Sequence, residues 1–239
     1  MSAPRYAVYL APEETGALWR LGSAILGRDA ASGAAVPFPA AAPCDAADWA
    51  ELSAEPRRYG FHATLKAPFE LVAGAREADL LAAADAFAAH RAGFVVDDLV
   101  VSLIGSFVAL TPARENADLM RLAADCVVAF EPVRAPISAE DRARRLKSPL
   151  TERQIESVDR WGYPYVFEDF RFHMTLTGAL PEARREPIRA ALEALVGATA
   201  RPLVVDAVAV YVQPDRRSPF RLLRRFPFGT APILEDDTP

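Results

Sequence analysis

The chain contains three histidines, and two of them share one five-residue frame: Phe61-His62-Ala63-Thr64-Leu65 and Phe172-His173-Met174-Thr175-Leu176. At ordinary residue frequencies a given His is followed by x-Thr-Leu about once in a few hundred cases. The recurrence therefore marks one shared site. Side chains alternate faces along a strand. Phe61, Ala63 and Leu65 then point into a core, and His62 and Thr64 point away from it. The second copy divides the same way, with His173 and Thr175 outward.

Two imidazoles facing one cleft form an acid–base pair. Unperturbed histidine titrates near 6.5, so around neutral pH one ring can be free base and the other protonated. The free base takes a proton from the nucleophile, and the imidazolium delivers one to the leaving oxygen. A threonine two residues on shares the face of its own histidine, where its hydroxyl can donate to a non-bridging phosphoryl oxygen. Two His and two Thr converging on a tetrahedral group suit phosphoester cleavage without a metal or other cofactor. A single His-x-Thr on an exposed strand would mean little, since Thr is a good strand residue. Duplication in the same frame is what carries the functional reading. His90, at the end of an amphipathic helix beside Arg91, suits the helix C-terminus electrostatically instead.

The elements that must position these residues follow from periodicity. Tyr6–Leu10 reads as a short buried strand, followed by a helix carrying Leu18, Leu21 and Ile25 that stops at Gly27. Residues 28–56 are rich in Ala, Pro, Gly and Asp and read as a long connection with a short helix around Trp49. The first motif strand spans about 58–71, and an amphipathic helix covers 77–90. Strands are expected at 94–101 and 106–110, then a helix at 115–130. A second irregular region, 131–161, carries the basic run Arg142-Ala-Arg-Arg-Leu-Lys147, and Thr151-Glu-Arg-Gln154 resembles a capping box. The second motif strand is expected at 165–180, a helix from Pro187, and strands at 203–212 and 220–226. Glu235–Pro239 reads as a frayed end. This alternation fits an α+β architecture. The expected organisation is one bilobal domain over 1–239: a lobe at about 1–130, the connector, and a second lobe at about 162–239, with terminal strands free to exchange between lobes.

The paired H-x-T-L motifs resemble those of the 2H phosphoesterase superfamily, which includes cyclic phosphodiesterases and RNA 2′,5′-ligase-like proteins. Arg58-Tyr-Gly-Phe-His-Ala-Thr-Leu-Lys-Ala-Pro68, Arg160-Trp-Gly-Tyr-Pro-Tyr165 and Phe170-Arg-Phe-His-Met-Thr-Leu-Thr-Gly178 are similar to a narrower bacterial branch, the DUF1045-type phosphonate-metabolism proteins. The likeness runs from Arg5-Tyr-Ala-Val-Tyr9 to the last strand. It implies a two-lobed fold, with antiparallel sheets forming a central cleft and helices on the outer faces. It also implies His62 and His173 as catalytic pair, Thr64 and Thr175 as phosphate binders, and no metal. The branch's association with phosphonate degradation implies a cyclic ribose phosphate of the 5-phosphoribosyl 1,2-cyclic phosphate kind.

Alternation extends the candidate site. Arg58 and Lys66 fall on the His62 face, and Arg171 and Thr177 on the His173 face. A cation there would hold phosphate. Arg216, Arg217, Arg221, Arg224 and Arg225 crowd the last strand pair, with Arg221 a candidate for a second phosphate, and Tyr59, Tyr163 and Tyr165 could stack on a base or sugar. The net charge of −5 argues against bulk nucleic-acid or anionic-membrane binding and leaves a small phosphorylated substrate or a short RNA end as partner. No apolar run reaches the ~18 residues of a membrane span. The two cysteines, Cys44 and Cys126, match no metal-ligand or disulfide pattern. A cytoplasmic setting is expected, and the oligomeric state is left open. Two alternatives accompany the cyclic phosphodiesterase reading: a 2′,3′-cyclic-nucleotide or RNA-end phosphodiesterase, and a non-catalytic module that binds a phosphorylated metabolite. A metallophosphatase lacks the clustered His and Asp ligands it would need.

Overall fold

The computed structural model describes residues 3–200 and 202–230; the frayed end expected at 235–239 lies outside them. The element order is β1 (Arg5–Leu10), α1 (Ala17–Leu26), α2 (Ala46–Leu52), α3 (Ala54–Arg57), β2 (Ala63–Glu70), α4 (Glu77–Ala89), β3 (Phe94–Val96), β4 (Leu99–Ile104), β5 (Phe107–Pro112), α5 (Ala117–Ala129), α6 (Ala139–Arg145), α7 (Glu152–Trp161), β6 (Met174–Thr175), α8 (Glu182–Val196), β7 (Leu203–Val205), β8 (Ala207–Gln213) and β9 (Arg221–Pro227).

Seven strands form one sheet in the order β4-β5-β6-β2-β1-β8-β9, every neighbouring pair antiparallel. The fold is α+β. β6, from the second half of the chain, is inserted between β5 and β2, and β8 and β9 extend the edge beyond β1. Each motif therefore lies mid-sheet, where strands from both halves hold it. One face carries the main core: Phe61, Ala63, Leu65, Phe172, Met174 and Leu176 are buried there with Leu80 and Ala84 of α4, Leu119 and Leu122 of α5, and Ile188 and Leu192 of α8. A smaller cluster, Ala7, Tyr9, Trp19, Tyr211 and Phe220, underlies the other face.

Two expected strands each divide at aspartate, a poor strand former. The first breaks at Asp97-Asp98 into β3 and β4, and the other at Asp206 into β7 and β8; β3 and β7 then pair in a separate two-stranded sheet. The first motif strand begins at Ala63, not near Arg58, because α3 and a turn at Gly60 occupy the preceding residues. The second shrinks to Met174–Thr175, and Phe167–Asp169 form a 3-10 turn. The last helix starts at Glu182 and runs through Pro187; a proline this early removes one hydrogen bond without ending the helix. Thr151 caps α7 as expected, its hydroxyl accepting from the Gln154 amide while the Gln154 side chain accepts from the Thr151 amide. Among the described residues, no helix is long and apolar enough to cross a membrane.

Candidate active site

The two motifs are cross-strand neighbours. Ala63 of β2 pairs with Met174 of β6, so the middle residues of the two H-x-T units face each other in an antiparallel ladder. One step outward in that register sets His62 across from Thr175 and Thr64 across from His173. The two histidines become diagonal neighbours, about 7–8 Å apart in an ordinary ladder, with a threonine beside each. All four line one cavity of about 460 Å³, together with Arg5, Tyr9, Tyr59, Phe107, Arg144, Arg145 and Tyr163.

Both rings are oriented by the same device. His62 Nδ1 lies 2.8 Å from the Gly60 carbonyl, and His173 Nδ1 lies 2.8 Å from the Arg171 carbonyl. In each case the acceptor is the carbonyl two residues back, so Nδ1 carries the proton and Nε2 is left as the acceptor nitrogen of the ring. The Thr64 hydroxyl sits 3.2 Å from His62 Nε2. His62 also stacks on Tyr9, ring centroids 3.7 Å apart, while His173 meets the Phe107 ring at 5.8 Å. Burial is the main cause that pushes the His62 pKa down to about 4, opposed by the Gly60 carbonyl and assisted by His173. Burial also lowers His173, against the Arg171 carbonyl.

The turn that delivers His62 depends on two glycines. Gly60 has φ +81°, the left-handed region that glycine enters without strain, and a Cβ there would lie 2.4 Å from the Ala30 Cβ. Gly22 on α1 leaves room for the Phe61 ring, which a Cβ would meet at 2.2 Å.

The extended candidates fare differently. Lys66 does not face the cavity. Tyr9 pairs with Thr64 but Val8 pairs with Lys66, so Leu65 is an extra residue, a β-bulge that reverses the alternation after the motif. Lys66 is turned to the core face, 2% exposed, where it donates to the Val127 carbonyl (2.8 Å) and pairs with Glu131 (2.6 Å). The second copy is irregular at the same place: the Leu176 and Thr177 amides both donate to the Val108 carbonyl. Thr177 borders the cavity, but its hydroxyl accepts from the Val108 amide and donates to the Gly178 carbonyl. Arg58 lies in the turn before the motif and donates to the Arg216 carbonyl. Arg221 stands on β9 opposite Val212, one residue out of phase with Leu222, which packs on the Tyr9–Tyr211 cluster; it therefore faces away from the cleft. Among its neighbours, Arg225 pairs with Asp206 and Arg224 lies over the Phe226 ring. Arg171 and Tyr59 are at the site. Tyr59 lines the cavity, stacked on Phe220, and Arg171 borders a second compartment of about 520 Å³. That compartment shares Thr64, Phe107, Tyr163 and His173 with the first and adds Tyr165.

Arg5, Arg144 and Arg145, which line the first cavity, escape sequence reasoning. Arg144 and Arg145 belong to the basic run of the connector, whose folding as α6 brings them to the cleft. Arg5 could have been found, since it shares strand parity with Tyr9. Among the described residues, no three His, Cys, Asp or Glu side chains gather as a metal-binding group.

Residues 64–221 match the family described as "Protein of unknown function (DUF1045)". Two curated relatives are both named ribose 1,5-bisphosphate phosphokinase PhnN. The protein from Janthinobacterium sp. (strain Marseille) is 38% identical over 233 residues, covering 95% of this chain and 51% of that protein. The one from Laribacter hongkongensis (strain HLHK9) is 39% identical over 221 residues, covering 92% and 51%. The chain thus spans about half the length of the curated relatives it matches. Among solved structures it is similar to E. coli LigT complexed with 3′-AMP (19% identity, TM-score 0.44, 95% of this chain and 99% of that one). It is also similar to TT0787 of Thermus thermophilus (15% identity, TM-score 0.45, 95% and 98%). With two thirds of its length inside the matched region, both Thr64 and the whole second motif included, the chain belongs to the DUF1045 family.

Proposed function

We propose that this protein is a phosphodiesterase that opens a small cyclic phosphate ester by paired-histidine acid–base catalysis. The observation that carries the reading is the antiparallel pairing of the two motifs, which gathers His62, Thr64, His173 and Thr175 in one cavity with each Nδ1 tied to a carbonyl. His62, the more deeply embedded ring and the harder to protonate, is assigned as base. Its Nε2 takes a proton from water as the water oxygen bonds to phosphorus. His173, protonated once the anionic ester is bound, gives its Nε2 proton to the departing ring oxygen as the P–O bond breaks. Thr64 and Thr175 donate to the non-bridging oxygens, where charge accumulates.

For the substrate, we favour 5-phosphoribosyl 1,2-cyclic phosphate. Breaking its bond to O2 yields ribose 1,5-bisphosphate, the sugar phosphate in the name that both curated relatives carry. The chain has no Gly-x4-Gly-Lys-Ser/Thr phosphate loop, so we assign the ring-opening step, and not phosphokinase chemistry, to the half of those relatives that it matches. A 2′,3′-cyclic nucleotide is the second reading, because the compartment lined by Phe107, Tyr163 and Tyr165 offers room and aromatic faces for a base.

Phosphorus NMR of cyclic phosphates incubated with the protein tests both. His62→Ala and His173→Ala should each lose about 10²–10⁴ in kcat, the double variant far less than the product of the two. A p-nitrophenyl leaving group should partly rescue only His173→Ala, and chelation should leave turnover intact. Tight binding of the cyclic ester without ring opening would leave only a phosphometabolite-binding module. Loss of activity with EDTA, restored by Zn²⁺ or Mn²⁺, would refute the metal-free route.

A further inference from the structure

One end of the cleft is cationic, and the acid–base chemistry makes no use of it. Arg5 lies on β1 four residues before Tyr9, on the same strand face and about 13 Å along the strand. Its guanidinium is held by a neutral group: Nε and Nη2 donate to Gln213 Oε1 at 2.8 and 2.5 Å, and Gln213 Nε2 in turn donates to the Ser218 carbonyl at 2.7 Å. Arg5 is thus oriented by a neutral side chain, and among the described residues no carboxylate forms an ion pair with it. Arg145, the last residue of α6, packs its guanidinium over the Tyr163 ring at 4.9 Å. Its Nε is buried with no hydrogen-bond partner, and among the described residues no carboxylate pairs with it. Arg144 beside it is paired with Asp141 at 2.6 Å. That carboxylate also accepts two bonds from Arg216, at 2.9 and 2.8 Å, so its oxygens are committed to Arg144 and Arg216 and reach Arg5 and Arg145 only as a more distant charge.

Three guanidiniums therefore line the cavity, and among the described residues only that of Arg144 is paired with a carboxylate. Arginine does not shed its proton in proteins, so the wall stays positive. Burial opposes the charge of both Arg5 and Arg145, and a desolvated, unpaired charge with unused donors is costly unless an anion completes it. The planar fork of a guanidinium matches phosphate oxygens. Placed in a chain of net charge −5, the cluster is a local feature, not part of a basic surface.

We propose that Arg5 and Arg145 bind a second, non-reacting phosphate monoester of the substrate, with Arg144 at its rim, and that this contact selects bisphosphorylated sugars over simple cyclic esters. Tyr59 and Tyr163 then flank the sugar that joins the two phosphates. The site of this second phosphate rests on the phosphodiesterase reading only for the word substrate, and its test separates the two.

The first measurement is calorimetric binding of ribose 5-phosphate to the full chain. Arg145→Gln should weaken it by about 10-fold or more, with Arg145→Lys in between because the charge stays and the fork is lost. Thr64→Ala and Thr175→Ala should change it by less than about 2-fold. The second is the ratio of kcat/KM for ribose 1,2-cyclic phosphate with and without its 5-phosphate. That ratio should fall about 10- to 100-fold in Arg145→Gln and in Arg5→Gln. Unchanged ribose 5-phosphate binding in Arg145→Gln overturns the subsite, as does a loss seen in the threonine variants instead. An equal loss on both esters overturns it too. Binding that depends on Arg145, in a protein that opens neither ester, sinks the phosphodiesterase reading and leaves the subsite standing. Both arginine variants are checked for an unchanged Tm, and α6 is mostly solvent-facing.

Discussion

Replacing His62 with glutamine should remove a measurable acid sensitivity from the fold. His62 is held as a neutral ring, with its pKa pushed down to about 4 from the ordinary 6.5. The unfolded chain would bind a proton near pH 6.5 and the native one only near 4. Stability is therefore unaffected above pH 6.5, declines as pH falls through that window, and levels off below 4. At 1.36 kcal/mol per pH unit the loss at pH 4.5 integrates to about 2.5 kcal/mol. The ring retains some exposure to the cleft, and solvent screening reduces the expectation to about 2 kcal/mol. Glutamine can still donate to the Gly60 carbonyl but does not titrate. Urea unfolding of wild type and His62→Gln at pH 7.5, 6.5, 5.5 and 4.5 measures the difference, in which the contributions of His173 and the carboxylates cancel. The gap should shift against the wild type by about 2 kcal/mol between the first and last pH. Proton NMR gives the same answer residue by residue, since only three histidines must be assigned. Parallel stability curves, or a His62 midpoint near 6.5 in the free protein, would refute a buried neutral base.

Lys66→Ala should cost about 2–4 kcal/mol in urea unfolding while leaving kcat/KM per folded molecule within about 2-fold, because its ammonium is committed to Glu131 and the Val127 carbonyl. Lys66→Met should cost less, since Glu131 keeps its bonds from Arg134; a raised KM with unchanged stability would return Lys66 to the cleft. Gly60→Ala should destabilise by about 2–3 kcal/mol through its left-handed φ and the contact with Ala30, and should lower kcat about 10-fold by displacing the carbonyl that orients His62. Crystals of that variant showing an unmoved imidazole would remove the second effect.

Much of the candidate site is legible in local pattern. Period-two alternation placed His62 with Thr64 and His173 with Thr175, because the pleat sets side-chain direction wherever the ladder is regular. The Thr151 cap of α7 and the helical periodicity of α4 and α5 are equally local, depending on residues three or four apart. Pairing of the two motifs is different. Nothing in either pentapeptide says that Ala63 meets Met174; insertion of β6 between β5 and β2 decides that, and with it the diagonal histidine pair. The bulge at Leu65 depends on β1 running alongside with one residue fewer, so extrapolating the motif's alternation to Lys66 fails at the first position past the motif. Arg145 and Arg5 stand 140 positions apart and line one cavity only because the connector folds as a helix beside the cleft. What the chain settles alone is which side chains share a strand face. Which distant faces share a cavity, and which charges there lack a partner, are long-range packing outcomes that only the tertiary structure decides.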